Sequence, residues 1–113
     1  MIAIRVADLN SQSIEVTLDD ILFYIIVDWN QSGGYWTMSI RNSGYQTLVS
    51  NIFLAPNYPL LRQFKYSDLP PGELSVGSNR LRSGPIPRDG FVSEKYQLIY
   101  MTEQELRVAS AIR

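Results

Sequence analysis

The sequence contains no cysteine and no histidine. Without cysteine there is no disulfide framework and no thiolate metal site. That lack is compatible with the cytosol but does not establish it. Without histidine the usual general base, the commonest metal ligand and any Ser-His-Asp triad are missing. Lysine is scarce, with only Lys65 and Lys95. Neither sits in a Ser-x-x-Lys motif, so the local signature of a Ser-Lys dyad is missing too. An excess of charge is also missing: 10 basic residues oppose 11 acidic ones, for a formal net charge of −1. A protein that coats nucleic acid carries a basic excess, so no nucleic-acid partner is expected. No apolar run is long enough to span a bilayer, and no membrane partner is expected. The opening MIAIRVADLN has no signal-peptide pattern, because charged and polar residues interrupt it early.

What is present is strand texture. At 113 residues, 45% of them apolar, the chain is expected to form one packed domain over 1–113. Its centre is residues 21–41. Ile21, Phe23, Ile25, Val27 and Trp29 alternate, and so do Leu22, Tyr24 and Ile26. A run apolar on both registers points to a strand covered on both faces. Residues 30–34 (Asn-Gln-Ser-Gly-Gly) reverse the chain, since glycine accepts positive φ. Trp36, Met38 and Ile40 then alternate with Tyr35, Thr37, Ser39 and Arg41, a half-buried strand. Trp29 and Trp36 are placed to meet across this hairpin. They read either as core residues or as a platform for a carbohydrate or other ligand.

Ile2, Ile4 and Val6 mark a short first strand, and Ile14, Val16 and Leu18 a one-face strand over 14–18. Asp19-Asp20 is a two-residue turn into the central strand. With residues 45–54, segment 1–54 reads as an antiparallel β meander. Segment 55–95 differs: all 6 prolines lie between Pro56 and Pro87. Proline cannot donate to a ladder, so this region is loop with short elements. These are a helical turn over 60–66, a rigid extended 69–74 in which Gly72 allows a sharp turn after the prolines, and a strand over 74–76. Segment 96–113 carries a final strand, with Tyr96, Leu98 and Tyr100 alternating, then a short C-terminal helix. Thr102 and Glu105 form a capping box, and Leu106, Ala109 and Ile112 a narrow stripe. The expected fold is mainly β: a small antiparallel barrel or sandwich.

Chemistry is sparse. Asp19-Asp20 lacks further ligand spacing, so it reads as turn rather than cation site. Asp28, Asp68 and Glu73 form no acid/base pair in sequence. Gly33-Gly34 lacks the pattern of a phosphate loop. No catalytic residue, cofactor or metal is expected. Arg80, Arg82 and Arg88 stand out in a Ser/Gly/Pro-rich loop. They read as a solvated loop or as forks for carboxylates of an acidic protein partner.

The order of these features resembles the small baseplate plug protein family of contractile-tailed phages, known from a cyanophage baseplate. The resemblance rests on 14–19 (IEVTLD), Trp29-Asn30, 34–40 (GYWTMSI), Leu54, 59–61 (PLL), 69–74 (LPPGEL) and 96–101 (YQLIYM). It covers nearly the whole chain. Leu-Pro-Pro-Gly-x-Leu after a Trp-bearing hairpin is its most distinctive combination. The arginines replace acidic residues often seen in relatives between 78 and 87, and the helix after Thr102 reads as an extension. The resemblance implies a non-enzymatic structural protein of the virion, at the tail baseplate and assembled in the host cytoplasm. It would sit in several copies at the hub and tail-tube channel, helping to close it before ejection. Expected partners are hub, tail-tube, tape-measure and spike proteins. The expected contact residues are Leu69, Pro70, Pro71, Gly72, Arg80, Arg82 and Arg88.

Overall fold

A computed structural model describes residues 1–61, 64, 68–78 and 86–111, with side chains up to residue 108 in the last helix. The elements are β1 (Ile2–Ile4), β2 (Ser11–Leu18), β3 (Ile21–Asn30), β4 (Tyr35–Arg41), β5 (Thr47–Phe53), β6 (Glu73–Ser78), β7 (Tyr96–Met101) and α1 (Glu103–Ala111). They form two antiparallel sheets, one ordered β2-β3-β4-β5 and the other β1-β7-β6. Neither sheet closes on itself, so of the two closures expected the barrel is not formed. The three segments expected to pair in succession do so as β2, β3 and β4.

Turn chemistry fixes these registers. Asp19 and Asp20 both take positive φ (50° and 66°), as a two-residue turn matched to strand twist requires. Ser11↔Asp28 through Leu18↔Ile21 then pair without interruption. At the next reversal Gly34 has φ 70° and its N–H bonds Asn30 O at 2.8 Å. Asn30 Oδ1 also accepts from Gly33 N–H (2.9 Å), which sets the loop and brings Trp29 opposite Trp36.

The meander is shorter than expected. β1 leaves it and pairs with β7, Ile2 against Tyr100 and Ile4 against Leu98. Residues 5–10, between β1 and β2, are therefore a crossing between sheets rather than a hairpin. Residues 56–60 run beside β6: Pro56 bridges Val76, and Leu60 N–H bonds Leu74 O at 2.9 Å. The helical turn expected over 60–66 falls partly outside the described residues. Within them, Phe64 N–H bonds Leu61 O at 2.9 Å.

One core joins the sheets. Phe23, Ile25, Val27, Trp36, Met38 and Ile40 contribute from the larger sheet, and Leu74, Val76, Leu98 and Tyr100 from the smaller. Tyr35, Thr37, Ser39 and Arg41 alternate to the half-buried face, as period-2 patterning requires. β3 departs from expectation. Leu22, Tyr24 and Ile26 are half-buried rather than covered, because the second sheet lies against the opposite face.

Candidate contact surfaces

The Leu-Pro-Pro-Gly segment turns mostly inward. Leu69 and Pro70 are buried, and Pro71 is exposed. The segment is tied down at Gly72, whose N–H donates to Tyr100 Oη at 2.7 Å. The Tyr100 hydroxyl donates in turn to Asp19 Oδ2 at 2.5 Å. Asp19 Oδ2 also accepts the N–H of Glu103 (3.1 Å), the first residue of α1. One carboxylate and one phenol thus join the first turn, the last strand, the proline segment and the helix start. Burial, and then the bond to Asp19, hold Tyr100 well above its ordinary pKa. Gly72 is required by close approach: a Cβ there would lie 1.9 Å from Met101 O and 2.6 Å from Tyr100 Oη. The sequence offered a turn as its reason, yet Gly72 has no positive φ.

The helix start is also braced. Glu105 N–H donates to Thr102 Oγ1 (3.2 Å), and Thr102 N–H to Glu105 Oε1 (2.9 Å). Both halves of the capping box are therefore made. The N-terminal amine of Met1 bonds the other oxygen of Glu105. That bond is the leading reason Glu105 titrates below the usual carboxylate range.

Arg88 marks a second corner. Its Nε donates to Asn10 Oδ1 at 2.7 Å, and its Nη1 lies 3.0 Å from Asp8 Oδ1. The guanidinium sits 5.4 Å above the Trp36 ring. Beneath it Trp36 Nε1 donates to Pro87 O (3.1 Å) and the ring meets Phe91 edge-on at 5.6 Å. Arg88 therefore ties its own turn to residues 8–10, just before β2, and keeps its side chain 33% exposed. Arg80 and Arg82 lie outside the described residues.

The two tryptophans do meet, their rings 5.2 Å apart. Trp36 is 1% exposed and offers no open face to a ligand. Trp29 is half-buried and its Nε1 bonds Gln31 Oε1 at 3.0 Å. Nearby a half-open cleft of about 700 Å³ lies between residues 3–8 and 91–94, floored by Tyr96 and Leu98. Arg5, Asp8 and Glu94 rim it. No cluster of three or more acidic side chains able to hold a metal occurs among the described residues. No helix among them is long and apolar enough to cross a membrane.

Sequence reasoning missed Asp19 and Tyr100 as a joint. Asp19 read as turn and Tyr100 as part of the final strand, and both readings hold. The pairing spans 81 residues, and no local pattern encodes it.

A family model described as cyanophage baseplate Pam3 plug gp18 matches residues 1–103. The match runs from β1 to the first residue of α1. No curated protein matches the chain.

Proposed function

The chain belongs to the cyanophage baseplate plug family, and from that premise we propose that it closes the channel at the hub and tail tube before ejection. Family membership makes it a structural protein of the phage tail baseplate. The narrower role follows from what a plug must do: hold its shape under load and grip its neighbours. It acts by contact, without catalysis, and is assembled in the host cytoplasm in several copies. Its neighbours are the hub, tail-tube or tape-measure proteins and the spike.

The observation that carries this reading is the bracing of the proline-rich side. Gly72 is bonded to Tyr100, and Arg88 is bonded to Asp8 and Asn10. Gly72 and Arg88, two of the residues expected to make contacts, are therefore held in place before any partner arrives. A prefixed surface loses less entropy on docking. Leu69 and Pro70 anchor that surface from below, and Pro71 and Arg88 present it. The guanidinium groups of Arg80 and Arg82, which lie outside the described residues, suit carboxylates of the partner.

Replacing Arg80, Arg82 and Arg88 together by alanine tests it. The variant should fold, by circular dichroism, and enter assembled baseplates poorly. Guanidinium–carboxylate pairs desolvated at an interface cost about 2–5 kcal/mol each on truncation, and rim pairs much less. Normal incorporation of the folded variant would remove these arginines from the interface.

A further inference from the structure

Each sheet has two edges, and three of the four edges are blunted. β1 is 3 residues long. β6 is flanked by residues 56–60, with Asn57 N–H on Val76 O (2.6 Å) and Leu60 N–H on Leu74 O (2.9 Å). β5 shifts register between Met38 and Ile40 and again between Ile40 and Arg41, and Asn51 within it has φ 57°. Short length, a proline cover and bulges are the usual protections of an edge. Among the described residues β2 has none of them. It is 8 residues long, without proline, glycine or lysine, and every residue is in register with β3.

The direction of its main-chain groups follows from one bond. Trp29 N–H donates to Asn10 O at 2.7 Å, in the same register as Ser11↔Asp28. Bonded pairs alternate along an antiparallel ladder. Gln12, Ile14, Val16 and Leu18 therefore turn their N–H and C=O toward β3. Ser11, Ser13, Glu15 and Thr17 turn theirs outward, and all of these side chains are exposed. On the inner face Ile14 and Val16 stand half-covered at the margin of the core. An added strand would satisfy the outward groups and finish covering both.

We propose that this edge pairs with β2 of a second copy of the chain, antiparallel, with Ile14 on the two-fold axis. That register alone uses every outward-facing residue: Ser11 faces Thr17 of the second copy, and Ser13 faces its Glu15. Hydroxyl and carboxylate suit one another there. Centring the axis on Glu15 would oppose two carboxylates, which is unfavourable. Centring it on Ser13 would leave Thr17 without a partner. On the inner face Ile14 meets Ile14, and Val16 meets the stem of Gln12. The two larger sheets then form one continuous sheet across the axis.

The absence of cysteine makes the register directly testable. Residues facing one another across the axis are close enough for a disulfide, and two copies of a residue two positions from the axis, four positions apart along the strands, are not. Under mild oxidation the Ile14→Cys variant should cross-link to a dimer, and Gln12→Cys should not. Sedimentation equilibrium of the full chain should show a reversible dimer. Ser13→Glu sets carboxylates against each other twice per dimer and should weaken it by about tenfold. Adding Glu15→Lys to Ser13→Glu should restore it, with circular dichroism confirming that each variant folds. A chain monomeric at every concentration, or equal cross-linking at 12 and 14, overturns the inference. So does an Ile14→Cys variant that links only to a different protein in assembled baseplates. Dimerisation is read on the isolated chain, so its failure is separate from failure of the plug reading, which is read by incorporation.

Discussion

Tyr100→Phe removes one oxygen from the joint between the two sheets and keeps the ring. In the parent that oxygen accepts from Gly72 N–H (2.7 Å) and donates to Asp19 (2.5 Å). The ring is fully buried and Gly72 lies directly against it. Phenylalanine therefore leaves the Gly72 N–H facing a ring edge, with no acceptor. A buried donor without a partner costs about 1–3 kcal/mol, and a hydrogen bond to a charged group contributes about 1.5–3 kcal/mol. Asp19 keeps its bond from Glu103 N–H and is partly open to solvent, so only part of the second contribution is lost. The expected loss is about 3 kcal/mol, or about 10 °C in Tm for a chain of this size. Thermal melts by circular dichroism measure it, with the exposed Tyr58→Phe as control. The sign of the pH effect gives a second readout. Burial and the Asp19 bond raise the folded-state pKa of Tyr100 above its ordinary value of 10.0. The unfolded chain thus ionises first. Stability from this group is complete below about pH 10 and is lost as pH rises further. Tyr100→Phe should flatten that alkaline loss relative to the parent. A variant that melts with the parent and keeps its alkaline slope would show that the phenol joins nothing of consequence.

Trp36→Ala should lower stability by about 3–5 kcal/mol, read by denaturant titration, because the ring is fully buried between Trp29, Phe91 and Arg88. Gly72→Ala should cost about 3 kcal/mol, since its Cβ would overlap the Met101 carbonyl and the backbone must shift; an unchanged melt would show that the segment yields freely. Thr102→Ala should remove about 1 kcal/mol of helix capping, seen as lost helical circular dichroism signal. Glu105, held below its usual pKa first by the Met1 amine, supports the helix above the ordinary glutamate range, and that support should fade as pH falls through it.

Much of the fold was legible because it is encoded locally. The registers of β2, β3 and β4 follow from a two-residue turn at Asp19-Asp20 and a glycine at 34, together with alternation that allows only one face inward. The capping box at Thr102 and Glu105 is likewise a pattern of four residues. Contacts between distant segments were not legible. Nothing near Ile2 says that it pairs with Tyr100 instead of the next strand. Nothing near Arg88 says that Asp8 and Asn10 will hold it. Gly72 was read for turn geometry, whereas what requires glycine there is a carbonyl and a phenol that the fold brings to its Cα. Of the expected contact residues, the burial of Leu69 and Pro70 was the least legible. A proline pair reads as loop, and the core it packs on comes from elsewhere in the chain.

β3 shows why an apolar pattern on both registers does not fix the number of layers. Ile25 and Val27 are fully buried against the smaller sheet, while Leu22, Tyr24 and Ile26 point the other way and are half-buried. Long side chains from neighbouring strands and turns shield that outer register. The Tyr45 ring stands edge-on to Tyr24 at 5.1 Å, and the Arg41 guanidinium lies 4.4 Å from the Tyr45 ring. Along the same face the Tyr35 and Phe53 rings meet at a tilt, 5.3 Å apart. Aromatic rings and an arginine stem laid over a strand remove much of its apolar area from water without a second layer. Tyr45 reaches that position because it takes φ 64° in the turn after β4, with its N–H on Asn42 O at 2.9 Å. The turn after β4 and the pattern of β3 are therefore one device, since the turn places the ring that the outer register of β3 needs.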